Sequence, residues 1–216
     1  MAAVFSSARG SGTAATRIVM LPAAYTGPQD FVGAGFAEAV RRRRLDLDLQ
    51  FVPLEFAHVT DRTVLARLHE LIAPARAAGC ALWLGGISLG GYVALCYAER
   101  HARELAGLCV FAPYLGSHIV TGEIERAGTL AHWSPGELAA DDEERRVWRF
   151  IRDRAAQPPR LHLGLGREDR FAPRHRLMAA ALPPECVDVV PGGHDWPTWL
   201  TLWENFLDAT FAGARA

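Results

Sequence analysis

Gly86-Ile87-Ser88-Leu89-Gly90-Gly91 has the Gly-x-Ser-x-Gly form in which a serine sits on a tight bend between a strand and a helix. An apolar run over 81–87 leads straight into it, and Tyr92, Leu95 and Cys96 mark a helical period after it. Such a bend forces its central residue into a strained backbone state, and the flanking glycines remove side chains that would strike the crossing backbone. The hydroxyl is then held out at the carboxyl end of the strand, beside the unpaired N–H groups that open the next helix. The chemistry on offer is attack on a carbonyl, with an oxyanion stabilised at the helix start. A serine hydroxyl attacks slowly unless a base takes its proton. Three of the eight histidines sit near strand ends: His58, His162 and His194. His194 follows the final apolar run in Pro-Gly-Gly-His-Asp-Trp, where two glycines let the chain bend and present the ring; it is the expected base. His58 and His162 are read as structural. The residue that orients the base should come from an earlier strand end. Gly-Arg-Glu-Asp-Arg over 166–170 carries two adjacent carboxylates, of which Asp169 is preferred and Glu168 is the alternative. Arg167 and Arg170 beside it would favour the ionised form.

The elements that must position these residues follow from apolar spacing. Strand-length runs fall at 17–25, 48–54, 81–87, 105–112, 160–166 and 187–191, and helical periods at 28–43, 60–78, 89–100, around Met178 and at 196–211. Strands embedded in helices at this spacing predict an α/β fold, with a mostly parallel six-stranded sheet and helices on both faces. Residues 1–16 are small and polar and are expected to form a disordered tail, leaving 17–216 as one domain. The 114–159 connection holds no strand of its own. It exceeds what linking two strands needs and is expected to be a lid-like insert.

The order Ser88, Asp169, His194 and the elbow resemble the α/β-hydrolase superfamily, and in particular its small carboxylesterase and acyl thioesterase group. The resemblance covers roughly 17–212. It implies the minimal α/β-hydrolase fold with strand order 2-1-3-4-5-6, and an oxyanion hole built from two backbone N–H groups. Leu89, after the nucleophile, would give one. The stretch 21–31 matches the family's first-strand region in length and in the pair Asp30-Phe31, with Pro22-Ala23 where the family has His-Gly. By position Ala24 gives the second N–H, with Ala23 as the alternative.

Composition narrows the field further. The chain has 216 residues and a net charge of −1, and all 23 basic residues are arginine. Lysine-dependent mechanisms are excluded: phosphate-loop lysines, Schiff bases and Ser–Lys dyads. A near-neutral chain carries no nucleic-acid footprint. The run Arg41–Arg44 is read as cations at a helix C-terminus. The four cysteines lie in apolar runs without a Cys-x-x-Cys pair and are read as reduced, buried thiols. No basic leader or membrane-length apolar run occurs, so a cytoplasmic protein without a membrane span is expected. Tyr25, Tyr114 and Trp196 are candidate substrate contacts, with Trp133 and Trp199 also near the expected site. The reading is a serine hydrolase of small carboxylic esters or thioesters working through an acyl-enzyme, needing no metal or organic cofactor. The alternatives are a non-catalytic binding protein on the same fold, or an acyltransferase or peptidase with the same three residues.

Overall fold

The computed structural model describes residues 3–6, 14–55, 59, 62–77, 79–154 and 157–211. Its elements, in chain order, are β1 (Val4–Ser6), β2 (Thr16–Leu21), α1 (Pro28–Gly33), α2 (Phe36–Arg43), β3 (Leu47–Phe51), α3 (Val64–Ala77), β4 (Ala81–Ile87), α4 (Leu89–His101), β5 (Gly107–Phe111), α5 (His118–Arg126), α6 (Glu143–Arg154), β6 (Arg160–Gly166), α7 (Ala172–Ala179), β7 (Val187–Val190) and α8 (Trp196–Phe211). The strands form one sheet in the order β1-β3-β2-β4-β5-β6-β7, parallel except for β1.

Strand alternation sorts the core into two layers. Val19, Leu21, Leu82, Leu84, Leu108, Val110, Leu161 and Leu163 face α3, α4, α5, α6 and α7. Ile18, Met20, Leu47, Leu49, Trp83, Ile87, Cys109 and Phe111 face α1, α2 and α8. Central strands buried on both sides need continuous apolar runs, which explains why periodicity found them. Cys96 and Cys109 are buried, Cys80 and Cys186 are half-buried, and all four are free thiols. No helix among the described residues is long and apolar enough to cross a membrane.

Three expectations need correction. The sheet has seven strands, because part of the presumed tail is β1, antiparallel to β3 with Val4 opposite Phe51 and Ser6 opposite Leu49. Three residues between small polar ones give too short a signal to read. Val4 nevertheless packs on the core while Phe5 lies under the Arg17 guanidinium. The 28–43 helix is two helices: Gly35, at φ +92°, turns the chain between α1 and α2. Val32, on α1, is exposed. Finally, much of the 114–159 connection is core. Val120, Ile124, Leu130, Trp133, Val147, Trp148 and Ile151 pack in the α4 layer. Trp148 Nε1 donates to Leu115 O (3.0 Å), and Arg146 clamps Glu99 of α4 at 2.7 Å. Trp133 is thus a packing residue and does not contact the site.

The arginine run closes the last turn of α2, as expected, and also ties it to α8 through Arg42–Glu204 and Arg43–Asp208. His58 lies outside the described residues.

His162, on β6, packs against Phe206 (5.1 Å) and Phe111 (6.3 Å), with a sealed Nε2 that has no partner among the described residues. Burial pushes its pKa down to about 4, against a small opposing pull from Asp188. The unfolded chain therefore binds the extra proton first as pH falls from about 6.5 to 4. Folding stability is expected to drop across that window, by about 3 kcal/mol in total at ~1.4 kcal/mol per pH unit. Urea unfolding at pH 7 and 4.5 should show this extra loss in the wild type and not in His162→Leu.

Candidate active site

The predicted residues come from separate strand ends at one edge of the sheet. Ser88 ends β4, Ala23 and Ala24 follow β2, Tyr114 follows β5, Asp169 follows β6 and His194 follows β7. In a parallel sheet these carboxyl ends all open the same way, so one edge collects side chains from distant sequence.

Ser88 has φ +52°, ψ −114°, a left-handed value that costs a non-glycine residue about 1–3 kcal/mol. Its surroundings hold it there. Ser88 N donates to Phe111 O (3.0 Å), and Ser88 O accepts from Tyr92 N (3.1 Å) and Tyr114 N (2.9 Å). The elbow is tight enough that a methyl on Gly86 would overlap the backbone of Gly90, and one on Gly90 would overlap the carbonyl of Leu21. Both obstacles are backbone and cannot rotate aside. Gly90→Ala is expected to destabilise the protein by about 3 kcal/mol or more. The displaced Leu21–Pro22 backbone carries Ala23 with it, so calorimetry should show a lowered Tm and assays a lowered kcat.

Leu89 is the first residue of α4, and the first intrahelical bond of that turn is Tyr92 N to Ser88 O. The N–H groups before Tyr92 have no acceptor within the helix. Across the cleft, Ala23 O accepts from Thr26 N (3.2 Å) and Oγ1 (2.9 Å), fixing the turn that holds Ala24 and Tyr25.

His194 Nδ1 lies 2.7 Å from Asp169 Oδ2. Asp169 is 4% exposed. Burial alone would raise its pKa; the His194 N–H and the Phe171 backbone N–H (2.8 Å to Oδ1) outweigh this and hold the carboxyl below its usual range. The carboxylate is ionised near neutrality and has no proton to give, so Nδ1–H donates and Nε2 is left to accept. Stability from this pair is present above the ordinary carboxylate pKa and is lost as pH falls through the lowered one. A proton taken up by His194 adds a charge that further favours the ionised Asp169. Arg170 lies 4.8 Å over the Phe171 ring and Arg167 is exposed.

Glu168 has a different partner. Its Oε2 accepts from Gly192 N (2.5 Å), and its own N–H donates to Gly192 O (3.0 Å), pinning the loop that carries His194. The imidazole stands edge-on to Phe171 (5.2 Å) and Trp199 (5.1 Å). Asp195 caps α8 through Thr198 N (3.0 Å) and Oγ1 (2.6 Å).

A cleft of about 790 Å³ opens over this edge, lined by Ser88, Leu89, His194, Ala23, Ala24, Tyr25, Tyr114 and Trp196, together with Tyr92, Phe171, Trp199, Arg170 and Arg174. Tyr25 is 93% exposed, which puts it at the rim. Trp196 packs edge-on to Phe31 (5.4 Å) and Trp199 (5.2 Å), joining the cleft wall to the core. Among the described residues of the 114–159 connection, Tyr114 and Leu115 border the cleft.

Sequence reasoning missed His175. It is fully buried on α7, donates Nε2–H to Pro113 O (3.0 Å), and has no partner for Nδ1 among the described residues. Its only sequence signal was its place in the short helix after Asp169. Burial lowers its pKa, and the Asp169 carboxylate pulls the other way. Among the described residues, His69, His101 and Glu104 bring ligand atoms within 4.8 Å of one another and could hold a cation. Arg76 already sits 3.3 Å from Glu104, and none of the four lines the cleft.

No family profile matches the chain. An acetyl esterase of Caldicellulosiruptor saccharolyticus is 26% identical over 132 residues, covering 54% of this chain and 49% of that enzyme, so the chain spans about half the length of the curated relative it matches. Among solved structures, a monoacylglycerol lipase of Paleococcus ferrophilus has TM-score 0.61 at 14% identity, covering 95% of each chain. A thermophilic esterase of Thermogutta terrifontis has TM-score 0.59 at 15% identity, covering 99% of this chain and 94% of that one. A fluorophosphonate-binding serine hydrolase of Staphylococcus aureus has TM-score 0.57 at 14% identity, covering 90% and 83%. The chain has the α/β-hydrolase fold.

Proposed function

We propose that the chain is a serine hydrolase of carboxylic esters or thioesters, with Ser88 as nucleophile, His194 as base and Asp169 as the group that orients His194. The observation that carries this reading is the pairing of a strained, outward-held Ser88 with a carboxylate-anchored His194 in one cleft. Asp169 fixes the Nδ1–H tautomer, which leaves the Nε2 lone pair to take the Ser88 proton as Oγ attacks the carbonyl carbon. The N–H groups of Leu89 and Ala24 hold the oxyanion as the tetrahedral intermediate forms. His194 then protonates the leaving alcohol or thiol, and the C–O or C–S bond breaks to give the acyl-enzyme. Water, deprotonated by His194, attacks that ester and releases the acid and Ser88. Tyr114, Trp196 and Trp199 wall the acyl group, and Tyr25 guards the rim.

The acetyl esterase relative and the esterase and lipase neighbours favour ester substrates. The test is a series of p-nitrophenyl esters of graded acyl length beside acyl thioesters. Turnover that disappears in Ser88→Ala is expected for short and medium chains. Turnover of none of them, or turnover that survives in Ser88→Ala, would overturn the reading.

A further inference from the structure

We infer that the preferred ester carries a carboxylate or like anion away from its reacting carbonyl, received by Arg170 and Arg174. The inference rests on the hydrolase reading above and names the substrate class for that site.

Arg170 and Arg174 both line the cleft that holds Ser88, and both also line an adjoining recess of about 320 Å³ with His118, Thr121 and Glu125. They therefore mark the place where the two spaces meet. The Arg170 guanidinium carbon lies 4.8 Å over the Phe171 ring, which in turn meets the His194 imidazole, so the cation is one aromatic ring away from the base. Arg174 is half-buried and spends one donor on Gly116 O (3.3 Å), which fixes the head group and leaves its remaining N–H groups available.

Among the described residues neither arginine has a carboxylate within 4.0 Å, whereas Arg17, Arg43, Arg76, Arg100, Arg145 and Arg146 each do. Two nearby carboxylates are held by other partners. Asp195, which also lines the cleft, is held by Thr198, and Glu144 accepts from Ser117 N (3.0 Å) and Oγ (2.7 Å). Glu125 borders the recess but not the cleft. Two cations with no carboxylate within 4.0 Å among the described residues raise the positive potential at that end of the cleft. A planar guanidinium also matches a carboxylate better than an ammonium would.

The experiment compares matched ester pairs, with the uncatalysed rate subtracted. One pair puts the charge on the acyl side (mono-p-nitrophenyl glutarate against p-nitrophenyl valerate). The other puts it on the leaving group (4-acetoxybenzoate against its methyl ester). In at least one pair kcat/KM is expected to favour the anion by about tenfold or more at low salt. That ratio should shrink as salt is raised, and should approach one in Arg170→Gln/Arg174→Gln. The single variant Arg170→Gln changes an exposed residue and should give an intermediate ratio. A ratio at or below one in both pairs, or a ratio untouched by the double variant, overturns the inference while leaving the hydrolase reading standing. No Ser88-dependent turnover of any of the four esters overturns the hydrolase reading and this inference with it.

Discussion

Ser88→Ala is expected to lower kcat by on the order of 10⁴-fold or more while leaving Tm close to that of the wild type. The asymmetry follows from what the hydroxyl does. The backbone groups of Ser88 hold the elbow, through Phe111, Tyr92 and Tyr114, and all three bonds survive the change. Alanine bears the same left-handed strain as serine at φ +52°. What disappears is the nucleophile, leaving only the oxyanion donors and cleft binding to assist water. Steady-state kinetics on a p-nitrophenyl ester, beside a thermal melt, checks both halves. A large fall in Tm would mean that the hydroxyl has a structural task.

Asp169→Asn should cost about 10³–10⁴-fold in kcat, for a reason of proton placement and not of charge alone. Asparagine can keep one oxygen for the Phe171 N–H. Its amide N–H₂ then faces His194 Nδ1 and donates to it, so the ring proton moves to Nε2, where the base must accept. Glu168→Gln is the matched control. Its side chain reaches Gly192 N and not the imidazole, so the expected loss is small, less than about tenfold, with some loosening of the loop. Equal losses in the two variants would mean that Glu168 and Asp169 have been assigned the wrong tasks.

The contrast between these two carboxylates shows where the sequence is informative. That a carboxylate ends β6 was legible from the strand run 160–166. Which of two neighbours meets the histidine is decided by the turn: Asp169 bends inward, where its carboxylate accepts the Phe171 N–H, and Glu168 is left reaching along the loop. The elbow was legible for the same reason that it works, since its glycines are dictated by contact between backbones. The central strands were legible from their doubly buried apolar runs, whereas their order came from the family resemblance. β1 was not legible, because a three-residue edge strand gains its place from pairing with β3 and not from its own pattern. The burial of 114–159 was missed because its apolar residues are spread over two helices and irregular chain, and become one surface only when laid on α4. His175 was missed because its significance is spatial: it sits under Asp169 through the turn of α7.

The central claim is that Ser88 is a nucleophile made reactive by His194. Mass spectrometry after treatment with a fluorophosphonate tests it most directly. The account predicts one adduct per chain, mapped to the peptide that carries Ser88, forming far more slowly in His194→Ala and absent in Ser88→Ala. An unmodified wild-type chain, or an adduct on another serine such as Ser117, would contradict it.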